Sequence, residues 1–234
     1  MKDSDRQKIH AYLNAHKQEM FDDLAAQIRI PSEKTDPAEN APFGQPCVDA
    51  LEDFLIRAKR MGFTTKNVDN YMGCVDLGEK EDCFGILAHL DVVPAGQGWQ
   101  HQPYGAEVVD GVMYGRGTLD DKGPAISSLY AMAAIREAGI PLNKRVRLLL
   151  GTDEESGSHD MEYFLTKEKL PPIAISPDAE YPVVNVEKGL LRLVVSGQTD
   201  WQGEGVRLVS MKGGTRVNVV PAEVSAVVSG AQLH

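Results

Sequence analysis

The feature that most limits what this chain can fold into is the apolar run Phe84 to Ala88, which gives way at once to His89-Leu90-Asp91. A run without polar alternation suits a strand covered on both faces, and such strands belong to sheets flanked by helices. His89 and Asp91 stand two residues apart, so on extended chain both side chains leave from the same side. Open α/β sheets gather their ligands at the carboxyl ends of the strands. An imidazole that binds a metal ordinarily donates its second ring N–H to a carboxylate, and His89 with Asp91 as orienter meets that need. By itself such a pair is more often a plain hydrogen-bonded couple, so the rest of the chain has to decide.

In order, Ser4 to Arg29 reads as one helix, with Ser4 and Gln7 as a capping box and Ile9, Leu13, Met20, Leu24 and Ile28 at helical spacing. Pro31 stops it, and a long polar loop runs to Pro46. Pro46 opens a second helix with Val48, Leu51, Phe54, Leu55 and Ala58 facing inward and Gly62 at its end. Short strands are expected near 63–68, 73–77 and 84–89. Asp110-Gly111 between two apolar runs predicts a hairpin. Ile126, Leu129, Tyr130, Ala133 and Ala134 mark a helix over 123–137, followed by a buried strand over 145–150, a helix near 161–169 and a strand over 173–176. Strand and helix alternate, which implies an α/β fold: a mixed sheet with helices on both faces. After Glu187 the texture changes to apolar stretches at 189–196, 206–210 and 222–228 separated by Gly-rich turns, so a second module is expected from residue 188.

Composition narrows the function classes. A chain of 234 residues with 42% hydrophobic and 25% charged content has the make-up of a globular protein with a sizeable core. A formal charge of -10 argues against the clustered cations of a nucleic-acid footprint. The start, Met1-Lys-Asp-Ser-Asp, lacks the apolar stretch of a signal peptide, and no run approaches membrane-spanning length. Cys47, Cys74 and Cys83 have no CxxC spacing, so reduced structural thiols, a cytoplasmic location and no membrane partner are expected.

Three strands end in imidazole or acidic groups: His89 with Asp91, Glu154 with Glu155, and Asp178 after Pro177. Asp120 and Asp121 stand just ahead of a helix. Singly, Asp120 fits a helix cap, Glu154-Glu155 a solvated pair and Asp178 a turn residue. Together these like charges repel, and bound divalent cations are the simplest compensation. Oxygen and imidazole donors without thiolate suit zinc, manganese or cobalt. Two such ions, bridged by one carboxylate and about 3.5–4 Å apart, form a clamp suited to amide hydrolysis. A phosphate loop at Gly115-Arg-Gly-Thr-Leu is rejected, because the Gly-Lys-Ser/Thr signature is absent and two aspartates would repel a phosphate.

Five stretches, in order and over nearly the whole chain, carry a resemblance: Ala88-His-Leu-Asp-Val-Val-Pro94, Gly115-Arg-Gly-Thr-Leu-Asp-Asp-Lys-Gly-Pro124, Thr152-Asp-Glu-Glu-Ser-Gly157, Ser176-Pro-Asp178 and Gly213-Gly-Thr-Arg-Val-Asn-Val-Val-Pro221. The chain resembles the co-catalytic di-zinc metallopeptidases of the aminoacylase and carboxypeptidase type, and within them the bacterial PepV-like dipeptidases. The resemblance implies that His89 and Asp178 bind one metal, that Asp120 bridges to a second, and that Glu155 binds the second. It implies Asp91 as the orienter of His89, Glu154 as general base toward a metal-bridging water, and Asn218 as a lid residue that contacts substrate. The substrate implied is a small unblocked dipeptide, with N-acyl-amino-acid deacylation or desuccinylation, or a metal-binding chain without turnover, as the alternatives. It also implies a cis peptide between Asp120 and Asp121. The family's further His ligand lies beyond residue 234, so 1–187 is expected to be an incomplete catalytic domain, 188–234 the start of an α+β lid, and the chain inactive alone.

Overall fold

The computed structural model describes residues 1–179, 184–186, 188–189, 191, 193–197, 205–214, 220–221 and 223–230. The chain divides into two compact units, Met1–Val183 and Val184–His234. In the first, the apolar run becomes β3, Cys83–His89, near the middle of a five-stranded sheet. β6, Arg145–Gly151, and β7, Ile173–Ile175, pair with it in parallel on either side. β2, Met72–Leu77, runs antiparallel to β6, and β1, Thr64–Val68, closes the far edge as a hairpin on β2. The β1–β2 turn puts both Asp69 and Asn70 at positive φ, +51° and +60°, a turn made without glycine.

Alternation along β6 assigns the two faces. Leu148 and Leu150 join the larger core, while Leu149 joins a smaller one on the opposite face. The larger core is covered by α3, Gln45–Arg60, and α4, Lys122–Glu137, through Leu51, Phe54, Ile126, Leu129 and Tyr130, all fully buried. Burying each such side chain contributes about 1.5–3 kcal/mol. Gly73 in β2 is what lets α3 seat so closely, since a Cβ there would lie 2.7 Å from Leu51 Cδ1. On the other face Phe164 of α5, His159–Lys167, packs with Met72, Cys74 and Leu149. The mixed sheet with helices on both faces is therefore the fold.

Two local expectations are corrected. The helix expected over 4–29 is two, α1 (Asp3–Ala15) and α2 (Lys17–Ile28), broken at His16, whose ring stacks on Tyr12 and bonds the Tyr12 carbonyl at 2.9 Å. The helix also starts before the supposed capping box: Lys2 holds the N-cap position, and its N–H donates to Asp5 at 3.4 Å. Helical periodicity survives such a break, because α1 and α2 both turn their apolar stripe toward the larger core. Asp120 caps nothing, for the N-cap position of α4 belongs to Asp121, which makes no side-chain cap bond.

Asp110-Gly111 forms the expected hairpin between β4, Glu107–Val109, and β5, Val112–Tyr114, with φ of +51° and +81°. In the second unit β8, Arg207–Gly213, pairs antiparallel with β9, Val224–Ser229, with an irregularity between Leu208 and Ser210. None of the described residues of 189–196 is in a strand, and Val194 and Val195 are almost fully exposed. An apolar pattern becomes a strand only where a partner edge accepts its hydrogen bonds. Among the described residues no helix is long and apolar enough to cross a membrane. The three cysteines are free and buried.

Candidate metal centre

β3 and β6 are hydrogen-bonded to their last residues, His89 opposite Gly151, and the Leu90 N–H still donates to the Gly151 carbonyl at 2.9 Å. The two chains then part, one into Asp91 and the other into a 3-10 turn, Glu154–Ser156. That parting is the opening in which the site forms. His89, 3% exposed, sends Nδ1–H to the Asp91 carbonyl oxygen at 3.0 Å, with a carboxylate oxygen of the same residue at 3.4 Å. The ring therefore presents Nε2 to three carboxylates: Asp120 at 3.1 Å, Asp178 at 3.5 Å and Glu154 at 3.9 Å.

Asp91 does more than face His89. Its carboxylate, 1% exposed, accepts the backbone N–H of Glu154 at 3.2 Å and of Glu155 at 3.0 Å, which fixes the 3-10 turn against the end of β3. Asp121 works from the other side. It is fully buried, and one carboxylate oxygen accepts the His89 backbone N–H at 3.0 Å. Its other oxygen is buried with no hydrogen-bond partner among the described residues. The peptide joining Asp120 to Asp121 is cis.

The electrostatics follow from too much negative charge around one imidazole. Burial pulls the His89 pKa down, but hydrogen bonds to Asp120, Asp178 and Asp91 outweigh it and hold the ring well above its ordinary range. The same bond to His89 lowers Asp120 against the effect of burial. Burial raises Glu154, with His89 opposing and Asp178 and Asp91 adding. Burial raises Glu155 too, and the neighbouring charge that adds most is Asp120. Asp121 is pushed up to about 7, by burial first, opposed by His89 and reinforced by Asp178 and Asp120. A protonated imidazole would stand here against several acids, a position that a divalent ion would fill better.

The residues fit such an ion. One ligand atom each from His89, Glu154 and Asp178 lie within 4.8 Å of one another, and the donor set is nitrogen and oxygen without thiolate. The unpartnered oxygen of Asp121 marks the same shortage of positive charge. A cavity of about 230 Å³ opens beside the cluster, bounded by His89, Asp121, Glu154, Ser158 and Asp178. The structure thus brings together His89, Asp91, Asp120, Glu154 and Asp178. Glu155 stands outside the three-residue group and is coupled most strongly, among its neighbours, to Asp120. Asn218 lies outside the described residues. His16, His101 and His159 bond Tyr12, Glu107 and Asp153 instead of joining the cluster. Sequence reasoning gave no role to Asp121, Lys122, Asp153 or Lys34. The first three sit inside quoted motifs without a periodicity that would single them out, and Lys34 sits in a polar loop.

A family model described as Peptidase family M20/M25/M40 matches residues 85–230. Among curated proteins the chain is similar to a Beta-Ala-Xaa dipeptidase of Lactobacillus delbrueckii subsp. lactis, 40% identical over 223 residues, which make up 94% of this chain and 47% of that protein. Among solved structures it is similar to human carnosine dipeptidase 1, with a TM-score of 0.59 and 26% identity over 69% of this chain and 37% of that one. It is also similar to an M20 family metallo-carboxypeptidase, Sso-CP2 from Sulfolobus solfataricus, with a TM-score of 0.56 and 20% identity over 69% of this chain and 37% of that one, a likeness of fold alone. The chain spans about half the length of the curated relatives it matches.

Proposed function

The chain belongs to peptidase family M20/M25/M40, and from that premise we propose that its protein is a cytoplasmic dipeptidase. It hydrolyses the amide bond of small unblocked dipeptides at a two-ion centre held by His89, Asp120, Glu155 and Asp178. The observation that carries this reading is the convergence of Asp120, Asp178 and Glu154 on Nε2 of a buried imidazole whose other nitrogen faces Asp91. Two of the similar proteins are named as dipeptidases, which supports the substrate class. Zinc suits the donors best, with manganese or cobalt as alternatives.

When bound, the cations supply Lewis-acid polarisation of the scissile carbonyl and make a water there more acidic. The protein's own groups do the rest. Asp91 fixes the tautomer of His89 through the Nδ1 contacts and holds the turn that carries Glu154. Glu154, raised by burial first and by Asp178 and Asp91 against the opposing His89, takes the proton from the attacking water. The water oxygen bonds to the carbonyl carbon, the carbon–nitrogen bond breaks, and Glu154 returns the proton to the leaving amine. Asn218 is assigned to substrate on its motif alone.

The test compares Glu154→Gln with Glu155→Gln in the full-length protein, by metal content and by release of amino acids from dipeptides and from N-acyl amino acids. Glu154→Gln should keep its metal and lose turnover, and Glu155→Gln should lose metal. Equal metal loss from both would overturn the division of roles, and activity confined to N-acyl amino acids would overturn the substrate class.

A further inference from the structure

The stretch from Gln27 to Lys34, where α2 ends and the long loop begins, precedes the residues that the family model matches, yet it touches three of the four segments that carry the metal centre, all but that of Asp178. Buried Ser32 donates its hydroxyl to the Leu90 carbonyl at 2.5 Å, and its own carbonyl accepts the Val92 N–H at 3.0 Å, so it brackets Asp91. The carbonyls of Gln27 and Ile30 accept Nζ of fully buried Lys122 at 2.8 and 2.7 Å, next to Asp121. Lys34 reaches Asp153 at 2.6 Å, next to Glu154.

The third tether differs from the others in kind. It joins a loop side chain, 30% exposed, to a carboxylate with no exposure at all. The second Asp153 oxygen accepts the ring and backbone N–H of His159 at 2.7 and 3.1 Å, and the Asp153 carbonyl accepts the N–H of Ser158 at 2.8 Å. Asp153 is thus the inner anchor of the turn, as Asp91 is the outer one. Without Lys34, Asp153 would be a buried carboxylate facing only His159 and backbone donors, and such a group recruits water or shifts to find a cation.

We propose that Lys34 is a positioning residue of the metal centre: through Asp153 it sets the turn that carries Glu154 and Glu155, so that divalent-cation affinity and geometry depend on this amino-terminal segment. The inference rests on the metal-centre reading above. The probe is cobalt(II), titrated into the metal-free full-length protein and followed by its visible absorption, with calorimetry for affinity. Lys34→Met should weaken cobalt binding about 10-fold or more and shift the absorption band, while Lys34→Arg, which keeps the charge, stays within about threefold of the unsubstituted chain. Lys144→Met, which removes an exposed pair with Asp82, should change neither. If Lys34→Met does not fold, Lys34→Met with Asp153→Asn removes the buried unpaired charge and should fold while still binding cobalt more weakly. Unchanged cobalt affinity and spectrum in the folded Lys34 variants would overturn the inference and leave the metal reading intact. Failure of the unsubstituted full-length protein to bind cobalt would overturn the metal reading and the inference with it.

Discussion

Replacing Gly123 by alanine asks how much slack exists in the loop that carries Asp120. Gly123 is the second residue of α4, and its N–H donates to the Gly117 carbonyl at 3.1 Å. A Cβ at this position would lie 2.0 Å from the Thr118 carbonyl oxygen, where real Cβ atoms essentially never come within 3.0 Å. The obstacle is backbone and cannot rotate aside, so loop or helix must move by about 1 Å, the difference between those two distances. Thr118 is two residues from Asp120, whose carboxylate sits 3.1 Å from His89, so the shift is about a third of that contact. Losing the Gly117 bond costs about 1 kcal/mol and overpacking about 1–3, for a destabilisation of about 2–4 kcal/mol. A misplacement of about 1 Å near reacting groups costs on the order of 100-fold in rate, and zinc affinity should fall about 10- to 100-fold. Urea unfolding and zinc calorimetry on Gly123→Ala would be set beside Gly189→Ala, whose Cβ meets nothing within 4 Å. Zinc affinity at the unsubstituted level in a destabilised Gly123→Ala would refute the link between this backbone contact and the site. A stability loss below about 0.5 kcal/mol would refute the steric premise itself.

Asp91→Asn leaves one acceptor oxygen where two N–H groups need partners, and turns an NH₂ toward the Glu154 and Glu155 amides. Stability should fall by about 1–3 kcal/mol, with faster hydrogen exchange at those two amides as the local readout. Burial lowers Lys122 from its ordinary 10.5 to about 7, so between those values the unfolded chain holds a proton that the folded one has released. Stability from this group therefore rises with pH across that window. In metal-free protein the unsubstituted chain should gain on Lys122→Met by up to about 1.4 kcal/mol per pH unit, measured as the difference between two urea-unfolding series. Burial pushes Cys47 up to about 12 and Cys74 up to about 11, so Ellman's reagent should leave both unmodified in the native chain at mildly alkaline pH and react with them in concentrated guanidinium.

The strands and main helices were legible because their signals are local: the apolar run at 84–88, the inward stripe of α3 and α4, and Asp110-Gly111. The break at His16 was not, since a stripe of apolar residues continues through a kink when both halves pack on one core. Nor was the lack of strand at the described residues of 189–196, where pattern promised a strand but pairing decides. At the site, strand ends were legible as a meeting place because the sheet topology follows from strand–helix alternation. The residues that hold the ligands' backbone in place were not. Lys34 meets Asp153 across 119 positions of sequence, and no spacing rule joins a lysine in a polar loop to a carboxylate buried on another strand's exit. Asp121 is similarly silent in sequence, because its partner is the main-chain N–H of His89, a donor every residue but proline possesses.

The uneven lengths of the ladders around β3 bear on how the ion would be gripped. β6 stays paired to β3 up to His89, whereas β7 leaves it level with Ile86, and Asp178 follows three residues later. Flexing of the sheet should therefore carry His89 and the Glu154 turn together, a common-mode displacement that would leave their separation almost unchanged. Asp178 lies three residues past the last paired residue of β7, so its distance to the other two should vary more than theirs to each other. Among the ligands it is the one whose replacement should least disturb the placing of the others, a difference that hydrogen exchange along β7 and β6 would read.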